Sequence, residues 1–318
     1  MAAITPQSTS TVEVRSLEKG DLDAVVALDD RIIGRSRRGY FERRLTSALR
    51  DPKSHVQMAA VDPSGLAGFA LARITSGEYG RPAPAVLLEA VGVDPAVQHA
   101  GIGRRMMNAL DRKAEARGIG TVVTEVDWRN HAMLRFLDGA GFTLAPRVLL
   151  ERVVARMPLP ETDEAIEQMP PRIRHLRAED FDAVVKIDKL ATGHDRSDYF
   201  RRKFDEALHE SGIAVSLVTE DDGFVVAFAM ARVDLGDFGH IEPTAALDTI
   251  GVDPSFSNKG YGREMLAQMI DNLAALHIDR LGTEVAFDHF ELLRFFYRFG
   301  FTPSQRLVFQ STRTRQAS

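Results

Sequence analysis

The sequence predicts two copies of one mixed α/β domain within a single chain. Residues 14–150 align without a gap to residues 173–309 at an offset of 159, and 45 of the 137 aligned positions are identical. Within each copy, segments with the apolar spacing of strands alternate with segments that have the spacing of helices. A solenoid unit spans only about 20–50 residues, so a repeat of this length is a whole domain.

A change in composition between the two copies indicates a linker. We expect domains at 1–155 and 172–318, joined by a linker at 156–171 that contains four prolines and an acidic stretch at 161–167. Proline removes backbone donors and holds a chain extended, as linkers require. The polar ends, residues 1–11 and 313–318, are expected to be loose tails.

Several classes of protein are disfavoured by composition. The chain has no cysteine, which excludes disulfides, thiolate metal sites and a cysteine nucleophile. The absence of cysteine is consistent with a reducing cytoplasm but does not require it. We expect the protein to be cytoplasmic. A net charge of −5 argues against nucleic-acid binding, and the nine histidines show no paired metal-ligand spacing. No apolar run approaches the ~18 residues of a membrane span.

The first half of each copy predicts a strand, two helices and a hairpin. In the first copy the strand is 12–15, and Asp21 is placed to cap a helix at 22–30. A second helical segment follows at 40–49. Two strands, 56–61 and 66–74, flank a turn at 62–65 whose proline and glycine favour a hairpin.

The second half of each copy alternates strands and helices. Strands are expected at 86–93, 122–126 and 148–154, the last closing the copy. Helices are expected at 104–117, where apolar residues recur every four positions, and at 131–140.

A glycine turn between a strand and a helix is the motif richest in chemistry. Gly101 and Gly103 precede the helix at 104–117, and Gly260 and Gly262 repeat the arrangement in the second copy. Glycine permits a tight turn, and the unpaired amides of a helix N-terminus form an anion site suited to a pyrophosphate. The alternative is that these glycines only begin a helix. The recurrence of the motif at the equivalent position of the second copy disfavours this alternative. Neither a dinucleotide fingerprint nor a Walker motif is present, since Met106 replaces the third glycine and no Gly-Lys-Ser/Thr follows.

Together these motifs resemble those of the GCN5-related N-acetyltransferases (GNAT). Residues 98–103, Gln-His-Ala-Gly-Ile-Gly, are similar to that family's Gln/Arg-x-x-Gly-x-Gly/Ala signature. The preceding strand with Val-Asp-Pro and the downstream segment from Asn130 to Phe142 resemble the family as well. The resemblance implies a mixed, splayed sheet flanked by helices in each copy, with acetyl-CoA between the fourth and fifth strands.

The resemblance also implies a set of residues that contact the donor. Backbone groups of Val91, Val93, Ile250 and Val252 would pair with pantetheine, and Asn130 would contact the cofactor. The pyrophosphate would be held by Gln98, Ala100, Gly101, Gly103 and Arg104, and in the second copy by Asn258, Gly260, Gly262 and Arg263. The second copy departs at Ser257, which replaces Gln98.

A base or relay is needed because an ammonium has no lone pair with which to attack a thioester. The candidates are Glu89 and Asp248, which occupy equivalent positions four residues before Val93 and Val252. Even spacing on a strand predicts that each carboxylate shares a face with its valine. It would bind the acceptor or route its proton through water; the alternative is a solvent-facing carboxylate.

Tyr297 is the candidate acid. It lies in Phe-Tyr-Arg-Phe-Gly-Phe, which resembles the family segment whose tyrosine protonates the leaving thiolate. The first copy has Asp138 at this position, and conversely the second copy has His289 where the first has Asn130. A buried ring on an amphipathic helix is the alternative for Tyr297.

Two further sets of charged residues permit two interpretations each. Glu125 and Glu284 recur on the fifth strand and either face the acceptor or serve the sheet edge structurally. Arginines surround Tyr40 and Tyr199 in the first two helices of each copy, either as a border for an acidic ligand or as a solvated helix face.

The sequence therefore predicts an acetyl-CoA-dependent N-acetyltransferase that acts by direct attack of an amine. The second copy is the expected catalyst because it alone has the tyrosine. A non-catalytic acyl-CoA sensor or scaffold is the alternative. We expect a small-molecule amine as acceptor before a protein amine, no nucleic acid or membrane partner, and an intrachain pseudo-dimer.

Overall fold

The computed structural model describes residues 12–81, 83–154, 172–210, 213–234 and 244–312. The predicted linker and both predicted tails lie outside the described residues.

The first copy has the predicted order of elements. It contains β1 (Glu13–Ser16), α1 (Leu22–Ile33), α2 (Arg38–Arg50), β2 (His55–Asp62), β3 (Gly65–Thr75), β4 (Ala85–Val93), α3 (Ile102–Glu115), β5 (Thr121–Asp127), α4 (His131–Gly139), β6 (Thr143–Leu144) and β7 (Arg147–Val153). The predicted hairpin and all four predicted helices are confirmed within a few residues.

The second copy repeats this order. It contains β8 (Arg172–His175), α5 (Phe181–Thr192), α6 (Ser197–Asp205), β9 (Leu217–Asp221), β10 (Phe224–Asp234), β11 (Thr244–Val252), α7 (Tyr261–Ala275), β12 (Arg280–Ala286), α8 (Phe290–Arg298), β13 (Thr302–Pro303) and β14 (Arg306–Thr312).

Each copy is built on a seven-stranded mixed sheet. The strand orders are β1-β2-β3-β4-β5-β14-β6 and β13-β7-β12-β11-β10-β9-β8. The pairs β4–β5 and β11–β12 are parallel, and the other neighbouring strands are antiparallel. The predicted mixed α/β fold is confirmed in both copies.

The two copies exchange their last long strands. β7 belongs to the first copy by sequence but pairs along its whole length with β12, from Arg147 opposite Ala286 to Val153 opposite Arg280. β14 pairs in the same way with β5. The expectation that 148–154 closes its own copy is therefore wrong, because the tertiary arrangement offers this strand the equivalent edge of the neighbouring sheet.

Helices cover both faces of each sheet. In the first copy α3 and α4 pack on one face through residues such as Met106 and Leu137, while α1 and α2 pack on the other. Phe41 of α2 meets Phe69 of β3 edge to face at 5.4 Å, and the equivalent pair Phe200 and Phe228 meets at 5.5 Å. The exchanged strands contribute to these cores, since Leu150 is buried in the core of the second copy.

Among the helices of the described residues, none combines the length and the apolar character that crossing a bilayer requires.

The strand exchange predicts that the halves stay together after the chain is cut. A protease site placed within residues 156–171 would allow cleavage of the folded protein. We expect the two fragments to co-elute in size-exclusion chromatography, because each sheet is completed by a strand from the other fragment. Separation of the fragments without denaturant would contradict the exchange, and separation in denaturant is the control.

Candidate functional site

The fourth and fifth strands of each copy separate after a short paired region. β11 and β12 pair only at Ala245 with Leu281 and Ala246 with Gly282, and β4 and β5 match this pattern. The Thr283 hydroxyl then donates to the Leu247 carbonyl at 2.9 Å, closing the base of the opening. Thr124 and Leu88 make the same contact in the first copy.

The predicted pantetheine partners lie in this separated region. Val91 and Val93 are at the end of β4, and Ile250 and Val252 are at the end of β11. Among the described residues, these positions have ladder partners on the β3 or β10 side and none on the opposite side. An acyl-CoA arm entering here would find unused backbone donors and acceptors, which fits the group that the resemblance implies.

The Gly-Val-Asp-Pro motif that precedes each turn has a structural role. A Cβ on Gly92 would lie 2.6 Å from the ring of Phe69, and one on Gly251 would lie 2.6 Å from the ring of Phe228. The Asp94 side chain accepts from the amide of Ala96 at 2.9 Å. The glycine and the aspartate of this motif thus serve close packing and a capped turn.

The glycine turns have the backbone geometry that the predicted anion sites need. Gly101 and Gly260 are the N-caps of α3 and α7, with φ values of 80° and 88° that favour glycine. Asn258 is also left-handed, with φ of 64°. The first amides of a helix lack partners within it and can bind a pyrophosphate, although in α7 the Arg263 amide already donates to the Gly260 carbonyl at 2.9 Å.

Side chains around the first turn are partly occupied in holding the fold. Gln98 Nε2 donates to the Val93 carbonyl at 3.2 Å, which ties the turn to β4. Arg104 donates to the Gly139 carbonyl at 3.3 Å, and Asn130 Oδ1 accepts from the amide of Met133 at 3.1 Å as the cap of α4. Ala100 and Arg263 lie in the predicted positions within or beside their turns. None of these contacts tests a role in binding.

The second glycine of the turn differs between the copies. A Cβ on Gly103 would lie 2.6 Å from Phe136 Cε2, so α3 approaches α4 closely. A Cβ on Gly262 would first meet Val252 at 3.4 Å, which is ordinary contact. Glycine is therefore required by packing in the first copy alone.

Glu264 is a residue at the second turn that sequence reasoning missed. Its carboxylate lies 3.8 Å from where a Cβ on Gly260 would be, in the first turn of α7. Burial raises the pKa of Glu264, against the opposing charge of Arg263. The equivalent residue of the first copy is Arg105. This reversal of charge between the aligned copies is the feature of the sequence that could have identified Glu264. A carboxylate here competes with an anion for the helix N-terminus.

A β-bulge reorients Glu89 and Asp248. Leu71 pairs with Ala90 and Ala72 pairs with Leu88, so Glu89 is the extra residue of β4; Asp248 is the extra residue of β11 in the same way. A bulge places successive side chains on one face. The prediction that these carboxylates share a face with Val93 and Val252 is therefore wrong: the valines pack toward α3 and α7, and the carboxylates point toward α2 and α6.

Neither carboxylate faces solvent. Glu89 is 3% exposed, and its Oε1 lies 2.7 Å from Arg73 Nε and 3.0 Å from Arg44 Nη2. Paired with two guanidinium groups, it is stabilised as an anion within the core. The solvent-facing interpretation is wrong for both residues, since Asp248 is 2% exposed.

Asp248 has a different set of partners. Its Oδ2 lies 2.6 Å from Lys203 Nζ, and its Oδ1 lies 3.4 Å from Arg232 Nε. Lys203 also contacts Glu206 at 2.7 Å. Burial lowers the pKa of Lys203, but the charges of Asp248 and Glu206 outweigh it and leave that pKa raised. Lys203 thus stays cationic, and its ammonium is the partner of Asp248 Oδ2.

Glu284 joins the two copies at the floor of the second opening. It is buried on β12 and forms ion pairs with Arg81 Nη2 at 2.5 Å and with Arg147 of β7. In the first copy Arg306 of β14 lies 3.8 Å from Glu125. These contacts support the structural interpretation of the glutamates, now across the exchanged strands.

A turn of the first copy packs against the opening of the second. Residues 78–80 contact β11 and β12, and the Gly77 carbonyl accepts from Arg196 at 2.6 Å. Tyr79 at its centre has φ of 53°. Burial raises the pKa of Tyr79 well above its usual value, and the charge of Asp248 adds to this. Sequence reasoning missed this turn, although Gly77 and Gly80 recur at the equivalent positions.

Tyr297 is accessible. It lies on α8, which follows β12, and 47% of it is exposed. The alternative of a buried ring is therefore wrong. Asp138 occupies the equivalent place on α4.

The arginines of the first two helices are only partly a solvated face. Arg37 is buried against Asp29 at 2.6 Å, and Arg196 makes the equivalent pair with Asp188. Arg201 is exposed and contacts Asp198 at 2.7 Å. The basic segments thus divide into structural ion pairs and outward-facing charges.

Comparison with known proteins identifies the family. The model of the Acetyltransferase (GNAT) family matches residues 23–142 and again residues 172–301. The two matches span well over half of the chain, which therefore belongs to this family. Its members are acyltransferases that use acyl-CoA substrates.

Solved structures and curated sequences agree with the assignment. A tandem GNAT protein from the clavulanic acid biosynthesis pathway matches with a TM-score of 0.66 at 13% identity, covering 96% of this chain and 100% of that chain. The mycothiol acetyltransferase of Propionibacterium freudenreichii subsp. shermanii is 25% identical over 187 residues, 54% of this chain and 57% of that protein. That of Thermobispora bispora is 29% identical over 148 residues, 43% of this chain and 48% of that protein. The chain thus matches about half the length of these curated relatives.

Replacing Glu264 is expected to strengthen anion binding at the second turn. A charge at a helix N-terminus contributes about 0.3–1 kcal/mol, so Glu264→Gln should tighten CoA binding roughly two- to fivefold. Isothermal titration with CoA measures this. Asp271→Asn, an exposed change further along α7, is the control and should have no effect. Unchanged affinity in Glu264→Gln would show that the carboxylate does not compete.

The two second glycines are expected to tolerate alanine differently. Gly103→Ala forces Phe136 to move and should lower the free energy of unfolding by about 1–3 kcal/mol. Gly262→Ala meets only ordinary contacts and should leave that free energy unchanged or slightly raised. Urea denaturation compares the two variants, and equal stabilities would contradict the difference in packing.

Proposed function

We propose that the protein is an acetyl-CoA-dependent N-acetyltransferase that transfers the acetyl group directly to an amine, with the second copy as catalyst. The observation that carries the proposal is the opening between β11 and β12. Asp248 lies in the bulge beside it, and Tyr297 lies on α8 beyond the opposite strand. Membership of the GNAT family and similarity to two mycothiol acetyltransferases support it.

The donor is held by backbone rather than by side chains. In this proposal the amides of the Gly260 turn take the pyrophosphate, and the free edge of β11 at Ile250 and Val252 takes the pantetheine arm. Asn258, Gly262 and Arg263 complete the turn. The first copy offers the same frame through Val91, Val93 and residues 98–104.

Asp248 orients the acceptor rather than serving as a strong terminal base. Lys203 already occupies Oδ2 at 2.6 Å, so that oxygen is not open to a proton of the acceptor. Oδ1 is the atom left to accept a hydrogen bond from the amine. The amine proton then passes to water, and the neutral nitrogen attacks the thioester.

Tyr297 supplies a proton to the departing thiolate. A phenol is a suitable donor, and the exposed position of Tyr297 at the mouth of the site allows the sulfur to reach it. The first copy has Asp138 in place of this phenol. We therefore assign acyl-CoA binding without efficient turnover to the first copy, where Glu89 is held by Arg44 and Arg73 on one oxygen.

The acceptor is proposed to be a small-molecule amine in preference to a protein amine. In this proposal the copies form an intrachain pseudo-dimer, and the acceptor enters between α2, which holds Arg44 beside Glu89, and α6, which holds Lys203 beside Asp248. This leaves an enclosed route to the acceptor rather than an open groove for a peptide.

Removing the acid tests the assignment of the active copy. Tyr297→Phe should lower kcat about 100-fold in a thiol-release assay with a panel of small amines, because general acid catalysis contributes roughly 10²–10⁴-fold. Asp138→Asn, the equivalent change in the first copy, is the matched control and should leave kcat unchanged.

A second variant makes the choice of copy falsifiable. Gly103→Glu places a carboxylate in the first turn and should abolish CoA binding there, and Gly103→Ala, which has the packing change without the charge, is its control. Activity that survives Tyr297→Phe but is lost in Gly103→Glu would assign catalysis to the first copy. Tight acetyl-CoA binding with no turnover of any amine, peptide N-termini and lysine included, would favour the sensor or scaffold instead.

A further inference from the structure

A cavity of about 460 Å³ lies between the two copies. Residues of α2 and β3 line one side, and residues of α6 and β10 line the other. The pockets of both bulge carboxylates adjoin it, because Arg44 and Arg73 contact Glu89 while Lys203 and Arg232 contact Asp248. The cavity thus borders the bulge carboxylate of each copy.

Hydrogen-bond donors dominate the wall of this cavity. Among the described residues of its lining, cationic side chains outnumber acidic ones, and Arg73, Arg202 and Lys203 are among the cations. Arginine and lysine offer only donors, so the wall suits a ligand rich in acceptor oxygens.

The hydroxyl of Tyr199 is a donor in this wall without a partner. Tyr199 is 3% exposed, and within the described part of the chain its hydroxyl makes no hydrogen bond. Burial raises the pKa of Tyr199 well above its usual value, with a further contribution from Asp248, so the hydroxyl keeps its proton. A buried polar group in this condition requires an explanation, and a ligand in the cavity provides one.

A complementary acceptor lies behind the wall. Asp248 Oδ2 is occupied by Lys203, whereas Oδ1 accepts no hydrogen bond from the described residues and is 3.4 Å from Arg232 Nε. A donor at Tyr199 and an acceptor at Asp248 together match a molecule with both an anionic group and an ammonium.

Arg202 lies where the anionic group would enter. It is exposed on α6 and lines the cavity, and its Nη2 donates to the Ser76 carbonyl at 3.0 Å. Guanidinium has five N–H donors in a fixed fork, so further donors remain for a carboxylate or phosphate.

We propose that this cavity binds small amines that also carry a carboxylate or phosphate group, with the anion at Tyr199 and Arg202 and the ammonium at Asp248. The inference rests on the proposed function for its last step, in which the bound amine is the acceptor of the acetyl group. It narrows the acceptor from any amine to an anionic amine.

Three probes separate the sources of the anion. β-Alanine is an amine with a carboxylate, and phosphoethanolamine is an amine with a phosphate. Ethanolamine is the control amine and has neither anionic group. Ligand-observed NMR titration of the full-length protein with CoA present gives the dissociation constants, and thiol release with acetyl-CoA gives turnover. We expect at least one anionic amine to bind about tenfold more tightly than ethanolamine.

Variants connect this preference to the cavity. Tyr199→Phe removes an unpartnered hydroxyl, so it should leave the thermal midpoint of unfolding unchanged or raised. It should weaken the binding of the anionic probe about tenfold. Arg202→Gln should weaken the binding of the anionic probe about fivefold. Arg201→Gln, the neighbouring outward-facing change, is the matched control and should retain full affinity.

The outcomes distinguish this inference from the proposed function. Turnover without preference for an anionic amine, or a preference that Tyr199→Phe and Arg202→Gln leave intact, would overturn the inference and keep the acetyltransferase. Anion-dependent binding that both variants weaken, with no turnover, would support the cavity as a site for this class of molecule and remove the catalytic proposal.

Discussion

The reciprocal exchange of β7 and β14 is the constraint on which the rest of the structure depends. Each sheet is completed by a strand from the other copy, so strand pairing holds the two copies together. This geometry brings Arg147 onto Glu284 and sets the turn at 78–80 against β11 and β12. Closing a sheet with a neighbour's strand also removes an exposed edge, a liability for any isolated domain.

Charge burial follows from this arrangement. Removing carboxylates such as Glu89, Asp248 and Glu284 from water is costly, and breaking a buried pair costs about 3–5 kcal/mol. Each is met by two cations, and for Glu284 both cations belong by sequence to the first copy. The pairs of Glu284 thereby cross from one copy to the other, whereas those of Glu89 and Asp248 stay within a copy on either side of the cavity between α2 and α6.

The two copies share a frame but not a set of side chains. Both have the splayed strands, the threonine at the base of the opening and the left-handed glycine at the helix entry. They differ where chemistry would take place, at Asp138 against Tyr297 and at Arg105 against Glu264. The first turn lacks the carboxylate that Glu264 places at the second, while the second copy holds the phenol. The repeat has therefore kept the residues that the fold needs and varied those at the proposed site.

The sequence by itself determined the local structure, because apolar spacing, turn glycines and helix caps act over a few residues. The helices, the hairpin, the glycine turn of Gly101 and Gly260 and the family were all predictable from it. It could not determine which sheet β7 and β14 join, since either edge offers the same ladder and only docking of the copies decides between them. Nor could even spacing place Glu89 and Asp248, because a single extra residue in a strand reverses the face. The unpartnered hydroxyl of Tyr199 and the carboxylate of Glu264 beside its turn likewise depend on contacts that only the tertiary structure creates.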